Sequence, residues 1–232
     1  MTEIGIIGSG AIGAGIARLA VAAGIDVKIA NSRGPESLND LIDELGSRAT
    51  AATAAEAARF GDLVVLAVPL GAYAALPVEA LRGRPVLSTG NYYPYRDGRL
   101  EMLDSLSVTT AEYEQSLLRE SRIVKAFNNI VAHHLAGLAH STPRTALPVA
   151  GDDDEAKRAS MEIVQTLGFD AVDAGSLTDS WRFEPESGAY TGIYFAGGHE
   201  DYLADPGAPL PADRLRELLA ASHRPDVAAR EF

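Results

Sequence analysis

The chain has 232 residues, 47% of them hydrophobic, enough for one ample core or a core with a small appendage. Its formal net charge of −12 argues against nucleic acid or an anionic membrane as a partner. It contains no cysteine, which excludes a disulfide framework, a thiolate metal site and a thiol nucleophile; with neither a secretory signal nor an apolar run of membrane-spanning length, a cytoplasmic protein is expected.

Thr2 to Ile7 reads as a buried first strand. It runs into Gly8-Ser9-Gly10-Ala11-Ile12-Gly13, the spacing of a dinucleotide-binding turn. In that motif the first glycine permits a tight turn. The second lets the backbone approach a pyrophosphate, and the third lets the next helix pack on the strand. Ile12 to Ala23 is that helix, with its first N–H groups toward the phosphates. The alternative is a glycine-rich turn of no function; the strand before it and the helix after it favour a site. Asp26 to Ala30 is the second strand, and its end carries Asn31, Ser32 and Arg33. An NAD site places Asp or Glu in this region to hold the ribose 2′-hydroxyl. A hydroxyl and a guanidinium instead suit a 2′-phosphate through charge-assisted hydrogen bonds. NADP(H) is therefore the expected cofactor, against the alternative that Arg33 is a solvated loop charge.

Pro35 to Leu45 suits a helix with proline at its start, Ala49 to Thr53 a short strand, and Ala54 to Phe60 a short helix. Asp62 to Val68 is the clearest buried strand, ended by Pro69. Gly71 to Leu81 is helical but broken by Pro77, and Pro85 to Ser88 is a strand. Tyr92 to Ser105 reads as a loop, Glu112 to Arg119 as a helix, Ile123 to Phe127 as a strand and Ile130 to Ala139 as a helix. Ala146 to Ala150 is a strand whose proline suggests a sheet edge. Asp153 to Leu167 is an amphipathic helix with an acidic first turn, and Phe169 to Asp173 is a closing strand. Composition shifts near Ser176, and only Ala212 to Ala221 looks helical beyond it. The alternation predicts an α/β fold: a Rossmann-type, doubly wound, mainly parallel sheet with helices on both faces. Residues 1–177 would form the NADP-binding domain. Residues 178–232 would be a C-terminal extension, not an independent domain, that covers the sheet, the substrate site or a partner subunit.

Five motifs occur in order: Ile6 to Gly13, Asn31-Ser32-Arg33, Val124-Lys125-Ala126-Phe127-Asn128, Ala150 to Glu155, and Val172 to Leu177. Together they resemble the coenzyme F420-dependent NADP oxidoreductases and the cytoplasmic oxidoreductase domain of the STEAP metalloreductases. The resemblance covers roughly residues 3 to 177. It implies hydride exchange between NADPH and a flat tricyclic acceptor, a 5-deazaflavin such as F420 or a flavin. It places the glycine turn on Gly8, Gly10 and Gly13 and the phosphate-binding pair on Ser32 and Arg33. Further cofactor contacts fall on Val68 and Pro69, on Gly90 and Asn91, and on Ala126 and Asn128. Two segments depart from the family, the loop Asn91 to Arg96 and the tail with Trp181 to Pro185 and Tyr190 to Tyr194. Both are expected near the acceptor. The membrane-anchored relatives continue into a transmembrane portion, and the sequence supports no such route of electron transfer.

In open α/β sheets the ligand lies beyond the carboxyl ends of the strands. That places Ser9, Ala11 and Ile12, Val68 to Leu70, Thr89 to Asn91 and Phe127 to Asn129 around a nicotinamide. Asn91 and Asn128 would hydrogen-bond its carboxamide or cap turns. Hydride transfer between two cofactors needs little side-chain chemistry, so no catalytic residue is assigned. Of His133 and His134 at most one can face the site, and a surface or core role is simpler. His140, His199 and His223 show no ligand spacing, and no metal site is expected. Lys125 and Asn129 have the spacing of a pair in β-hydroxyacid dehydrogenases. There the pair lies on a helix and here Lys125 lies on a strand, so the match is accidental. Asp152 to Glu155 reads as a helix first turn rather than a cation site. Tyr92, Tyr93, Tyr95, Trp181 and Phe183 would stack on an acceptor, or else seal the core or a homodimer contact. Two rivals to the flavin or deazaflavin reading remain: a reductase of a small carbonyl or imine, and a non-catalytic NADPH sensor.

Overall fold

The computed structural model describes residues 2–197 and 202–228; His199 lies outside them. Eight strands form one sheet: β1 (Glu3–Ile7), β2 (Asp26–Ala30), β3 (Ala49–Ala51), β4 (Leu63–Leu66), β5 (Pro85–Ser88), β6 (Arg122–Lys125), β7 (Ala146–Gly151) and β8 (Asp170–Asp173). Their order is β3-β2-β1-β4-β5-β6-β7-β8. The first six are parallel; β7 runs antiparallel to β6, and β8 runs parallel to β7.

The alternation of side chains explains why the strands read as unbroken apolar runs. Ile4, Ile6, Leu63, Val65, Leu87 and Val124 join one buried cluster. Ile7, Val64, Leu66, Val86 and Ile123, one residue out of phase, join another. Both sheet faces are therefore covered, as a doubly wound fold requires. The first cluster lies under α1 (Ala11–Ala22), α2 (Asn39–Leu45) and α9 (Asp154–Thr166); the second lies under α3 (Ala54–Arg59), α4 (Val78–Leu81) and α7 (Thr110–Leu117). Local chemistry starts several of these helices. Thr53 with Glu56, and Thr109 with Glu112, form capping boxes. Asp153 accepts from the Ala156 N–H at 2.8 Å, and Asp152 accepts from the Leu177 N–H at 2.9 Å. The acidic run is thus a helix cap and a loop anchor.

The segment after β8 packs on the sheet. Phe183, Ala189, Tyr194, Leu210, Leu215 and Leu219 are buried in the first cluster, and α10 (Ala212–Ala221) lies against β7 and β8. The buried Tyr194 hydroxyl donates to the Ala146 carbonyl at 2.9 Å and accepts from Asn129 Nδ2 at 3.1 Å.

Three expectations are corrected. The region Tyr92 to Ser105 is not a plain loop: it holds α5 (Pro94–Asp97) and α6 (Glu101–Asp104). Each is a single turn, too short for a periodic signal. They are set by Pro94 at the first helical position and by the Tyr92 hydroxyl, which accepts from the Leu100 N–H and donates to Asp104. The helix expected over Ile130 to Ala139 shrinks to α8 (His134–Leu138). Before it, Phe127 turns to a φ of 59°, and the Asn128 and Asn129 amides bond to the Phe183 and Ala189 carbonyls. These tertiary bonds replace helical ones. Finally, β7 is interior rather than an edge. Its ladder to β6 uses only Ala150 and Gly151, so Pro148 meets no demand for an N–H on that side.

Candidate active site

Chain reversal between β1 and β4 leaves a crevice at the sheet's carboxyl edge, because β2 and β3 extend one way from β1 and β4 to β8 the other. The glycine turn sits at its mouth. Gly8 has a φ of 111°, and its N–H donates to the Ala30 carbonyl at 2.8 Å, tying the turn to the end of β2. A Cβ on Gly13 would stand 1.9 Å from the Gly8 carbonyl oxygen, so the third glycine is needed for the helix to start this close to the strand. A Cβ on Gly10 would meet nothing within 4 Å. Gly10 is also the N-cap of α1, no side chain caps that helix, and its first turn has no acidic residue. Open space before uncapped helix N–H groups is what a pyrophosphate requires.

The loop after β2 is shaped by Asn31. Its Nδ2 donates to Ser37 Oγ at 2.9 Å and to Ser9 Oγ at 3.3 Å, and its Oδ1 accepts from the Arg33 N–H at 2.9 Å. Asn31 therefore pins the loop to the glycine turn, a role the sequence reading did not foresee. Ser32 and Arg33 are exposed on that loop. Arg18 is held by Glu44 and Arg96 by Asp97, whereas the Arg33 side chain has no ion pair or hydrogen bond among the described residues.

Beyond the turn lies a cleft of about 800 Å³. Gly10, Ala11 and Ile12 form one wall, Val68 and Pro69 a second, and Thr89, Gly90, Asn91, Phe127 and Asn128 a third. Ala126 does not reach it: the residue is fully buried in the core, and the strand end presents Phe127 instead. Asn91 and Asn128 bond to each other, and Asn128 Oδ1 is buried without a hydrogen bond. Asn91 Nδ2 donates to the Asn128 carbonyl at 2.8 Å, and Asn128 Nδ2 donates to Asn91 Oδ1 at 3.1 Å, binding the ends of β5 and β6 together.

The aromatic expectation divides. Tyr93 and Tyr190 line the cleft, and their hydroxyls are hydrogen-bonded to each other. Tyr92 and Phe183 are buried in packing roles, and Trp181 faces a separate small hollow with Leu103, Val108 and Val227. His133 lines the cleft, while His134 is buried with Nε2 at 2.9 Å from the Asp205 carbonyl; burial pushes its pKa down. Tyr202 and Leu203 close part of the rim.

Behind Gly90 lies a polar group that the sequence reading missed. Glu114 on α7 and Lys125 on β6 are both fully buried, and neither carboxylate oxygen of Glu114 nor Nζ of Lys125 has a hydrogen bond. Lys125 Nζ lies 3.5 Å from Glu184 Oε1. A Cβ on Gly90 would come within 2.1 Å of Glu114 Oε1, so glycine there leaves room for the carboxylate. Burial pushes the Glu114 carboxyl above its ordinary value, and the Lys125 ammonium with the nearby Ser88 and Tyr73 hydroxyls opposes the rise. The signal available was the position of Lys125 on a strand with covered neighbours.

Residues 3–92 match the family model described as NADP oxidoreductase, coenzyme F420-dependent. The N-terminal part of the chain is similar to this family. The F420-dependent NADP reductase of Methanocaldococcus jannaschii is 32% identical over 132 residues, 54% of this chain and 58% of that protein. Metalloreductase STEAP3 of Rattus norvegicus is 30% identical over 184 residues, 78% of this chain and 36% of that protein. The crystal structure of hypothetical protein SMa0349 from Sinorhizobium meliloti superposes with a TM-score of 0.66 at 33% identity, covering 78% of this chain and 88% of that one. The aligned region thus spans 36% and 58% of the two curated relatives. The family match contains the glycine turn and the Arg33 loop and stops before Tyr93 and Tyr190. No described helix is long and apolar enough to cross a membrane.

Proposed function

We propose that the protein is an NADP(H)-dependent oxidoreductase that moves a hydride between NADPH and a deazaflavin of the F420 type, or a flavin. One observation carries the reading. The open face of Gly10 at the uncapped start of α1 opens on the crevice at the β1–β4 switch point, and Asn31 ties the Arg33 loop to that same turn. The N–H groups suit a pyrophosphate, and Ser32 with the unpaired Arg33 suits a 2′-phosphate. The family and the M. jannaschii relative support F420 as the acceptor class.

Bound NADPH supplies a hydride from its nicotinamide. The chain supplies position and the exclusion of water. Val68 and Pro69 wall one side, Thr89 and Gly90 line the other, and Asn91 and Asn128 tie the strand ends of that wall together. Tyr93 and Tyr190 offer ring faces to a flat acceptor. A cytosolic setting and pairing of two copies belong to the same proposal.

The test is NADPH oxidation with F420, FMN, FAD, ferric chelate and small carbonyls in parallel. Turnover with the deazaflavin or a flavin is expected. Turnover with carbonyls alone would make the protein a carbonyl or imine reductase. Tight NADPH binding with no turnover would make it a sensor.

A further inference from the structure

Tyr93 and Tyr190 come from positions 97 residues apart, yet their hydroxyls are hydrogen-bonded in the cleft. Asn91 Nδ2 donates to the Tyr190 oxygen at 3.3 Å. The Asn91 amide cannot easily turn away, because its Oδ1 accepts from Asn128 Nδ2 at 3.1 Å. The Arg96 guanidinium lies 4.9 Å from the centre of the Tyr93 ring and donates to the Asn91 carbonyl at 2.7 Å. Asp97 in turn accepts from the Tyr93 N–H at 3.0 Å. The hydroxyl pair is therefore held on several sides. It stands where β5 and β6 end, the edge at which open α/β sheets present a bound ligand.

We infer that Tyr190 is a catalytic proton donor to an acceptor that takes a proton together with its hydride. The inference rests on the NADPH reading above. Tyr190 gives its hydroxyl proton to a heteroatom of the acceptor as an acceptor carbon gains the hydride. The Tyr190 O–H bond breaks, one C–H and one heteroatom–H bond form on the acceptor, and NADPH is left as NADP⁺. With Tyr93 donating, Asn91 and Tyr93 are donors to the Tyr190 oxygen among the described residues, and both favour the phenolate left behind. Tyr93 then returns a proton to Tyr190 and recovers its own from water at the cleft mouth, where the exposed Tyr95 ring lies 5.7 Å away. Burial raises the Tyr93 pKa, which keeps it protonated as a donor. A ferric ion takes one electron and no proton, so it has no use for this pair. His133, exposed on the cleft wall, is the rival proton source.

The experiment compares the parent with Tyr190→Phe, Tyr93→Phe and His133→Ala, using F420 and ferric citrate as acceptors. NADPH titration by calorimetry and thermal melting are run on the same samples. Tyr190→Phe should lower kcat with F420 by about a hundredfold, the low end for a general acid, while KM, NADPH affinity and melting hold. The parent should show a solvent deuterium isotope effect that this variant loses. Parent kcat in Tyr190→Phe overturns the inference, as does a loss in His133→Ala alone. A parent that reduces ferric citrate and not F420 also overturns it while NADPH oxidation stands. Should Tyr190→Phe melt early, Tyr93→Phe decides: kcat must fall at unchanged KM, and parent kcat there is contrary. Failure of the parent to bind NADPH in the calorimeter removes the oxidoreductase reading itself, and this inference with it.

Discussion

On the proposed cofactor side of the crevice, Gly8, Gly10 and Gly13 shape the chain within a single turn, and what they present is backbone. On the proposed acceptor side, Asn91, Tyr93, Asn128 and Tyr190 present side chains, brought from segments as much as 99 residues apart. A site made of backbone depends on what a residue lacks, namely a Cβ, and that is visible at a fixed local spacing. A site made of side chains depends on the tertiary fold. The family match, residues 3–92, holds the whole glycine turn and, of these four side chains, Asn91 alone.

The sharpest way to break the comparison is to add a Cβ at two glycines of the same turn. Gly13→Val drives its Cβ into the Gly8 carbonyl, at 1.9 Å, and should cost the fold about 3 kcal/mol or more, the upper range for overpacking. At Gly10 a Cβ would meet nothing within 4 Å. Gly10→Val should melt like the parent and bind no NADPH. Thermal melting beside calorimetry separates the two, and early melting of Gly10→Val would merge roles that the structure keeps apart.

The buried Glu114 gives a smaller effect. Its pKa in the fold is raised above the ordinary 4.5, so the folded protein holds the proton more tightly than the unfolded chain. That contribution to stability is complete below the ordinary value and is lost as pH rises through the raised one. Glu114→Gln removes a buried carboxylate whose desolvation outweighs the support of the Lys125 ammonium and of the Ser88 and Tyr73 hydroxyls. At pH 8 the variant should be more stable than the parent by about 1–3 kcal/mol, and the gap should close toward pH 4. Denaturant titration at both pH values checks this; an unchanged gap would assign the ionised form a favourable partner.

The smallest effect separates two aromatics that looked alike in the sequence. Tyr93→Ala removes a cleft wall and should raise the acceptor KM, whereas Trp181→Ala, facing another hollow, should leave it where it was. Steady-state kinetics with the acceptor that turns over will tell, and a raised KM in Trp181→Ala would extend the acceptor side toward that hollow.

What the sequence made legible follows the same division. Gly8-Ser9-Gly10 with its flanking strand and helix, the doubly wound sheet and the exposed Ser32-Arg33 loop all rest on local pattern. Illegible features rest on contacts between distant segments. Asn129 bonds to Ala189 and Tyr194, which cuts short a helix that Ile130 to Ala139 seemed able to form. Pro148 marks an edge only locally, since the ladder beside it is two residues long. Tyr92 and Tyr93 are neighbours in sequence, yet one is sealed in packing and the other faces the cleft. No periodicity distinguishes them.

The central claim is that the turn at Gly10 and the loop at Arg33 together hold a phosphorylated dinucleotide. Side-by-side calorimetric titration of NADPH and NADH into the parent and into Arg33→Ala tests it most directly. The account predicts NADPH binding at least about tenfold tighter than NADH in the parent, a difference of about 1.4 kcal/mol. It predicts that Arg33→Ala weakens NADPH by about 1.5–3 kcal/mol, as for a lost charged hydrogen bond, with NADH nearly unchanged. Equal affinities in the parent, or equal losses for both cofactors in the variant, would contradict it.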